Sequence, residues 1–418
     1  MFTIEGLIVN KDGQKRARVE IDEVSGLIVK VGEPTGVADV VLKDELIFPG
    51  FIDLHVHARE DTSHKQDYKE DFLTASEAAI NGGVVAFAEM PNNPVPPVDE
   101  ESYEEKRKLT EKSKVEIILY AGIGSQTNPL SKKVPYKVFM GHSIGDLFFT
   151  THEALDTALA RYVGQSISFH CEDPKVLEEC DSAHTHGEKR PPRAEILAVE
   201  YALELIEKYN LVGRICHVST IEGVMKIVDA KKEGVNVTVE VTPHHLFFDE
   251  SMFTEESRNF FQVNPPIRQT KENRLALIGA LKHGGIDYLA TDHAPHTIEE
   301  KEKGISGLPL LDTYGSIAVW LMDQHGFTPQ DIRRVCSENP ANFINEFIEK
   351  KHGEIQEGYM GSLTVIDMNK KLLIEGKNMK TKCGWTPFDG IEFGGSVSMT
   401  IVKGIPYYSK AEYGTGTI

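Results

Sequence analysis

Two histidines near residue 55 have the type and spacing of a metal-binding pair. His55 and His57 follow the apolar run 45–52, which predicts a turn leading into a buried strand. Because residues alternate sides along a strand, both imidazoles would lie on one face. Neutral imidazole nitrogens are common metal ligands. A lone pair of this kind is more often an ordinary polar feature than a metal site, so the rest of the chain must decide.

More residues that could bind a metal lie on other predicted strands. His170, His217 and Asp292 each end an apolar segment, and Lys137 lies inside one. In a barrel of parallel strands the carboxyl ends meet at one mouth, where catalysis takes place. Six potential ligands at one mouth, counting the first pair, predict a metal site.

The middle of the chain alternates strands and helices. The predicted strands are 48–54, 84–90, 115–120, 136–140, 166–170, 214–218, 236–241 and 287–291. Helical runs, including 67–80, 195–208 and 221–233, fall between most of them. Eight apolar strands alternating with helices over about 300 residues predict an α/β fold, a TIM-like (β/α)8 barrel.

The two ends of the chain have a different texture, with short strands and glycine or aspartate turns. Residues 1–48 and 356–418 are therefore predicted to build one small β-sandwich domain from both termini. Residues 49–355 would form the catalytic, metal-dependent hydrolase barrel.

The composition narrows the classes of molecule that the protein is expected to bind. The 418 residues include 45 Lys and Arg against 64 Asp and Glu, a net charge of −19. This acidic balance argues against nucleic acid or an anionic membrane as the main partner. The five cysteines form no Cys-x-x-Cys pair, and the chain shows no signal-like start and no apolar stretch of membrane-spanning length. A cytoplasmic protein is expected.

Lys137 could act in two ways. A lysine inside a strand usually points outward with its ammonium group in water, and an ammonium would repel metal ions. Buried beside two cations, however, it would lose its proton. The neutral amine could then take up carbon dioxide to form a carbamate whose two oxygens bridge two metals. Spacing alone leaves both readings open.

Eight short segments, spread in order over almost the whole chain, give it a specific resemblance to the dihydroorotase family of the amidohydrolase superfamily. They are His55-Val56-His57-Ala58-Arg59, Tyr68-Lys69-Glu70-Asp71, Met90-Pro91-Asn92, Tyr136-Lys137-Val138-Phe139-Met140-Gly141, Thr242-Pro243-His244-His245-Leu246, Asn264-Pro265-Pro266, Thr291-Asp292-His293-Ala294-Pro295-His296 and Glu338-Asn339-Pro340-Ala341. One departure is the segment 60–63 after Arg59, which replaces the family's usual Glu-Pro-Gly and puts the local loop shape in doubt.

The resemblance implies a centre of two Zn²⁺ ions per chain. His55, His57 and Asp292 would bind the more buried ion, and His170 and His217 the more exposed one. Lys137, N6-carboxylated by carbon dioxide, and a hydroxide would bridge the two ions. Asp292 would serve as the general acid/base, since a carboxylate beside the hydroxide can move its proton to the leaving nitrogen.

The resemblance also implies a small-molecule substrate that carries a carboxylate. Arg59 would point into the same mouth on an extended backbone, and its fork suits a carboxylate. Asn92 and His296 resemble the family's other carboxylate-binding positions, and Asn264 resembles a ring contact. The loop 303–308 is a candidate for closing over the substrate. Nothing in the sequence supports an oligomer or an association with aspartate carbamoyltransferase.

The function implied is the reversible cyclisation of N-carbamoyl-L-aspartate to L-dihydroorotate in pyrimidine (UMP) biosynthesis. One alternative is a hydantoinase, dihydropyrimidinase or allantoinase, which share the metal frame. The set Arg59, Asn92 and His296 argues against it, because hydantoins carry no matching carboxylate. A second alternative is a catalytically inactive scaffold, which would lack metal ligands, whereas all six are present here.

Overall fold

The computed structural model describes residues 1–142 and 147–408. Its strands are β1 (Phe2–Asn10), β2 (Gly13–Ile21), β3 (Ile28–Gly32), β4 (Val40–Pro49), β5 (Phe51–Val56), β6 (Val84–Glu89), β7 (Glu116–Leu119), β8 (Ala121–Gly122), β9 (Tyr136–Phe139), β10 (Ser166–His170), β11 (Val212–Ile215), β12 (Val237–Val241), β13 (Tyr288–Leu289), β14 (Leu363–Asp367), β15 (Leu372–Leu373), β16 (Glu392–Phe393), β17 (Ser396–Val402) and β18 (Ile405–Tyr408).

The helices lie mostly between the strands of the middle region. They are α1 (Phe72–Asn81), α2 (Glu100–Leu109), α3 (His152–Leu159), α4 (Pro174–Cys180), α5 (His186–Lys189), α6 (Pro192–Lys208), α7 (Ile221–Glu233), α8 (Pro243–Phe247), α9 (Lys271–Lys282), α10 (Ile298–Glu302), α11 (Tyr314–His325), α12 (Pro329–Arg333) and α13 (Asn339–Ile344). Within the described ranges, no helix has both the length and the apolar character needed to cross a membrane.

Within the two described ranges, eight parallel strands close into a barrel. Strands β5, β6 and β7 pair in that order, and β8 to β13 continue the series, with β7 and β8 sharing the third position. Closure comes from the first and last strand ends, where the His57 amide donates to the His293 carbonyl at 2.8 Å. This confirms the predicted (β/α)8 barrel and brings the strand ends together at one mouth.

Strands from both ends of the chain form one smaller sheet. Among the described residues its order is β18-β17-β14-β4-β1-β2-β3, and only the β1–β4 pair is parallel. The sheet folds over, as shown by the Ile28 amide in its edge strand β3, which donates to the Tyr359 carbonyl just before β14. Apolar side chains from six of its strands fill one core. The predicted β domain from both termini is confirmed, although residues 409–418 lie outside the described part of the chain.

Three of the predicted elements show how local signals set their limits. Helix α7 matches its prediction because Thr220 caps its start and Gly234, at φ 95°, ends it. Helix α1 begins five residues later than predicted, because Asp71 accepts from the amides of Leu73 and Thr74 and fixes the start there. The apolar run 48–54 divides at Gly50, where a Cβ would lie 2.3 Å from Val85.

The side chain of Thr364 ties the small sheet to the barrel. Its hydroxyl donates to the Gly83 carbonyl at 2.6 Å and accepts from the Phe51 amide at 3.0 Å, and all three groups are buried. Both partners belong to the barrel side of the junction, so one hydroxyl satisfies two buried backbone groups.

We expect Thr364→Val to destabilise the protein by about 2–4 kcal/mol, because it leaves a buried N–H and a buried C=O unpaired at nearly constant volume. Thermal and urea unfolding would measure the loss. Thr364→Ser is the matched control, since it keeps the hydroxyl and loses only a methyl group. Equal stability of the two variants would contradict the role of the hydroxyl.

Candidate metal and substrate site

The mouth of the barrel holds a pocket of about 410 Å³. Most of the residues singled out in the sequence lie on its wall: His55, His57, Arg59, Asn92, His170, His217, Asn264 and Asp292. The wall also includes Ser306 and Gly307, from the loop 303–308. Lys137 and His296 are fully or almost fully buried behind the wall. The structure therefore brings predicted site residues from the ends of five barrel strands and from three loops to one place.

Asp292 lies between the two histidines of the first strand. Its Oδ1 atom is 3.2 Å from Nε2 of His55 and 3.1 Å from Nε2 of His57. The ring centroids of the two histidines are 5.3 Å apart, as expected for side chains on one face of a strand. Two imidazole nitrogens thus converge on one carboxylate oxygen.

A second pair of imidazoles meets on the neighbouring strands. Nδ1 of His170 is 2.9 Å from Nε2 of His217, and His217 lies 5.2 Å from His55 between ring centroids. Ligand atoms of His55, His217 and Asp292 all lie within 4.8 Å of one another. Lys137 lies on β9 with its Nζ 2.8 Å from the Cys216 sulfur. Five of the six predicted ligands thus contact another member of the set, and Lys137 lies beside the residue that precedes His217.

Burial keeps the four imidazoles neutral. It lowers the pKa of His55 to about 3, lowers those of His57 and His217 well below the ordinary value, and lowers that of His170. A neutral ring nitrogen is the form that binds a metal ion. Burial has the opposite effect on Asp292, whose pKa is raised well above its usual range. A carboxyl group shifted in this direction holds a proton more readily than an exposed one.

A buried ion pair beneath the pocket orients these groups. Glu240 contacts Nδ1 of His55 through one oxygen and the guanidinium of Arg214 through the other. It also accepts from the His217 amide at 3.2 Å. Burial opposes ionisation of Glu240, but Arg214 and His55 outweigh it and lower its pKa to about 2. Glu172 holds His170 in a similar way, at 2.9 Å from Nε2.

Sequence reasoning missed these supporting carboxylates. Glu240 is a single acidic residue in the otherwise apolar end of strand β12. A charged residue inside a buried strand is the same signal that singled out Lys137 on β9, and it could have singled out Glu240. Glu172 comes two residues after His170 in a loop, and nothing in its local sequence distinguishes it.

The predicted carboxylate-binding residues meet on one side of the pocket. Arg59 is buried, and its Nη2 lies 3.1 Å from Nε2 of His296. Asn92 and Asn264 line the pocket in the loops after β6 and β12. The Oδ1 atom of Asn264 is buried and has no hydrogen-bond partner among the described residues. His296 packs against Arg59 rather than lining the pocket itself.

Three site residues have a left-handed backbone, and two expectations are corrected here. Arg59 has φ 65° instead of an extended backbone. His217, at φ 37°, lies beyond the end of β11 instead of within the predicted strand 214–218. Asp292, at φ 50°, follows the predicted strand 287–291 as expected, although β13 itself ends at Leu289. Such conformations cost about 1–3 kcal/mol each in residues other than glycine. The barrel strands are shorter than predicted because the chain turns sharply at these residues to direct their side chains into the pocket.

Residues 46–405 match the model of the Amidohydrolase family. Named dihydroorotases are similar over most of the chain. The protein from Pyrococcus furiosus is 32% identical over 96% of this chain and 88% of its own length. The one from Bacillus pumilus is 33% identical over 97% of both chains. Among solved structures, L-hydantoinase from Arthrobacter aurescens superposes with a TM-score of 0.87, covering 98% of this chain and 97% of its own, at 22% identity. That structural likeness shows the shared fold.

The thiol beside Lys137 gives a test of the closed barrel interior. Burial raises the pKa of Cys216 to about 11, and only the thiolate reacts with alkylating reagents. Cys180 is partly exposed and serves as the internal control. At about pH 8 we expect iodoacetamide to modify Cys180 in the folded protein and to modify Cys216 only after unfolding in urea. Peptide mass spectrometry would measure both rates, and equal rates in the folded protein would contradict a closed interior.

Proposed function

The chain belongs to the amidohydrolase family, among the dihydroorotases, and from this premise we propose that it catalyses the reversible cyclisation of N-carbamoyl-L-aspartate to L-dihydroorotate. It is a cyclic amidohydrolase that acts on a small molecule. We further propose the three finer points that follow, namely the metal centre, the proton-transferring residue and the residues that bind the substrate carboxylate.

The donor set fits a metal centre. Four neutral imidazoles and one carboxylate converge within a few ångströms, and supporting carboxylates hold the far nitrogens of His55 and His170. We propose that His55, His57 and Asp292 hold one Zn²⁺ and that His170 and His217 hold a second. Lys137, N6-carboxylated by carbon dioxide, would be shared between them. Bound there, the ions would lower the pKa of water and polarise the amide carbonyl of the substrate.

Asp292 is proposed to move the proton. In the ring-opening direction its carboxylate takes a proton from the attacking water and delivers it to the ring nitrogen as the amide bond breaks. In the cyclising direction the same group removes the proton from the carbamoyl nitrogen. The contacts with His55 and His57 hold the carboxylate at the wall of the pocket, on the side where the water and the ring nitrogen would bind.

Arg59 provides the observation that carries this substrate assignment. Its guanidinium is buried on the pocket wall, and among the described residues no carboxylate forms an ion pair with it. Glu89, Asp292 and Glu300 act on it only from a distance. A buried guanidinium without a carboxylate in direct contact is costly, and a substrate carboxylate would supply that contact. We propose that Arg59, Asn92 and His296 form the carboxylate-binding set, in which His296 acts by holding the Arg59 guanidinium, and that Asn264 contacts the ring.

The remaining expectations stay proposals on the same footing. We place the small β domain at residues 1–48 and 356–418 and the catalytic barrel at residues 49–355. We propose a cytoplasmic location, because the proposed reaction belongs to pyrimidine synthesis.

Arg59→Lys tests the substrate assignment. Lysine keeps the charge but loses the planar fork, so we expect kcat/KM for L-dihydroorotate to fall at least about thirtyfold, mainly through KM. Ring opening of L-dihydroorotate, hydantoin and allantoin by the wild-type and variant proteins would be compared. Wild-type protein that opens hydantoin or allantoin but not L-dihydroorotate would refute the proposed function.

Lys137→Ala tests the metal centre. We expect purified wild-type protein to contain two zinc ions per chain and the variant to lose at least one of them together with its activity, because the shared ligand is gone. Elemental analysis would give the metal content, and thermal unfolding would show that the variant is folded. Full metal content and full activity in the variant would exclude a carboxylated Lys137.

A further inference from the structure

A chain of buried polar groups lies behind Arg59, on the side away from the proposed metal ligands. His296 contacts Arg59 through Nε2, at 3.1 Å, and contacts Oε2 of Glu300 through Nδ1, at 3.0 Å. The other oxygen of Glu300 is 3.0 Å from the ammonium of Lys69. Lys69 is only 6% exposed and His296 only 2%. Four residues from three separate segments are thus linked in the order Lys69, Glu300, His296, Arg59.

The direction of each hydrogen bond in this chain follows from the groups themselves. A guanidinium only donates, so Nε2 of His296 must accept from Arg59. Burial, Arg59 and Lys69 hold the pKa of His296 far below its ordinary value, so the ring is neutral and its one proton lies on Nδ1. That N–H donates to Glu300. Lys69 then donates to Glu300, because Nδ1 has no free electron pair to accept from it although it is 3.2 Å away.

Arg59 stands at the pocket end of this series of polar residues, and part of its guanidinium makes no hydrogen bond within the described structure. Nη2 is occupied by His296, whereas Nε is buried with no hydrogen-bond partner among the described residues. Arg59 also has the left-handed backbone at φ 65°, so its position depends on contacts made by its side chain. Among the described residues, His296 is the acceptor that this guanidinium contacts. A guanidinium that is already fixed binds a carboxylate with less loss of entropy than a mobile one.

We propose that Lys69 and Glu300 are positioning residues that orient the Arg59 guanidinium through His296 and thereby set the affinity for the substrate carboxylate. The proposal rests on the role given above to Arg59. Glu300 fixes the proton of His296 on Nδ1, and Lys69 fixes Glu300. Neither residue lines the pocket, so each acts on the substrate only through His296 and Arg59.

Two explanations of the role of Glu300 predict opposite changes in KM when its carboxylate is removed. If Glu300 acted only as a nearby negative charge, its loss would strengthen the binding of an anionic substrate and lower KM. If it positions Arg59 through His296, its loss frees the imidazole and the guanidinium and raises KM. The sign of the change therefore separates the two explanations.

The experiment measures KM and kcat for L-dihydroorotate in Glu300→Ala, in Glu300→Gln and in the double variant Lys69→Met/Glu300→Ala. We expect KM to rise about tenfold or more in Glu300→Ala with kcat within about twofold, as for the loss of a hydrogen bond to a charged group. Glu300→Gln should recover part of the loss, because its amide oxygen still accepts from Nδ1. The double variant leaves the net charge unchanged and should keep the raised KM.

Glu299→Ala is the matched control, because Glu299 is the exposed neighbour on the same short helix and makes no contact with His296 in the described structure. It should keep the wild-type KM. Zinc content and thermal unfolding midpoints should match the wild type in every variant. A wild-type protein inactive on L-dihydroorotate would refute the proposed function. An active wild type whose KM is unchanged or lowered in Glu300→Ala, or restored in the double variant, would refute the positioning role.

Discussion

The ion pair between Arg214 and Glu240 supports both halves of the pocket. Arg214 is buried and has four partners: Glu240 and Ser168 on the adjacent strands β12 and β10, the Leu54 carbonyl on β5 and the Tyr120 hydroxyl after β7. Because the guanidinium is held this firmly, Glu240 can stay ionised where water is absent. The carboxylate then holds the ring of His55 and the backbone of His217 at once. One buried charge pair thus fixes histidines from two different strands.

Sharp turns at the strand ends have a related origin. Arg59, His217 and Asp292 adopt left-handed backbones that residues other than glycine rarely accept. Each of the three is also held by contacts of its side chain or amide: with His296 for Arg59, with Glu240 for His217, and with two histidines for Asp292. Three of the six residues other than glycine with positive φ in the described structure are assigned to the chemistry, and the rigid barrel beneath them sustains this strain.

The chain beyond the barrel also reaches the substrate side of the pocket. The indole of Trp385 donates to the His296 carbonyl at 2.7 Å, and Thr381 donates to Glu70, the neighbour of Lys69. These residues follow β15 and precede β16, and they hold the backbone of His296 and the residue next to Lys69. Residues far from the metal ligands in sequence are thus part of the scaffold for the carboxylate-binding set.

By itself the sequence determined the barrel, the small sheet and the members of the pocket. Periodicity shows which segments are strands, and a parallel barrel has only one edge where their carboxyl ends can meet, so His55, His170 and Asp292 had to converge. The sequence did not reveal Glu240 or Glu300, because Glu240 contacts His55, 185 residues away, and Glu300 contacts Lys69 from a distant segment, while both look like ordinary acidic residues. Which nitrogen of each histidine faces the pocket, and whether Arg59 is extended or sharply turned, depended on contacts between separate strands. Those contacts exist only once the barrel has closed, so the tertiary structure alone decided them.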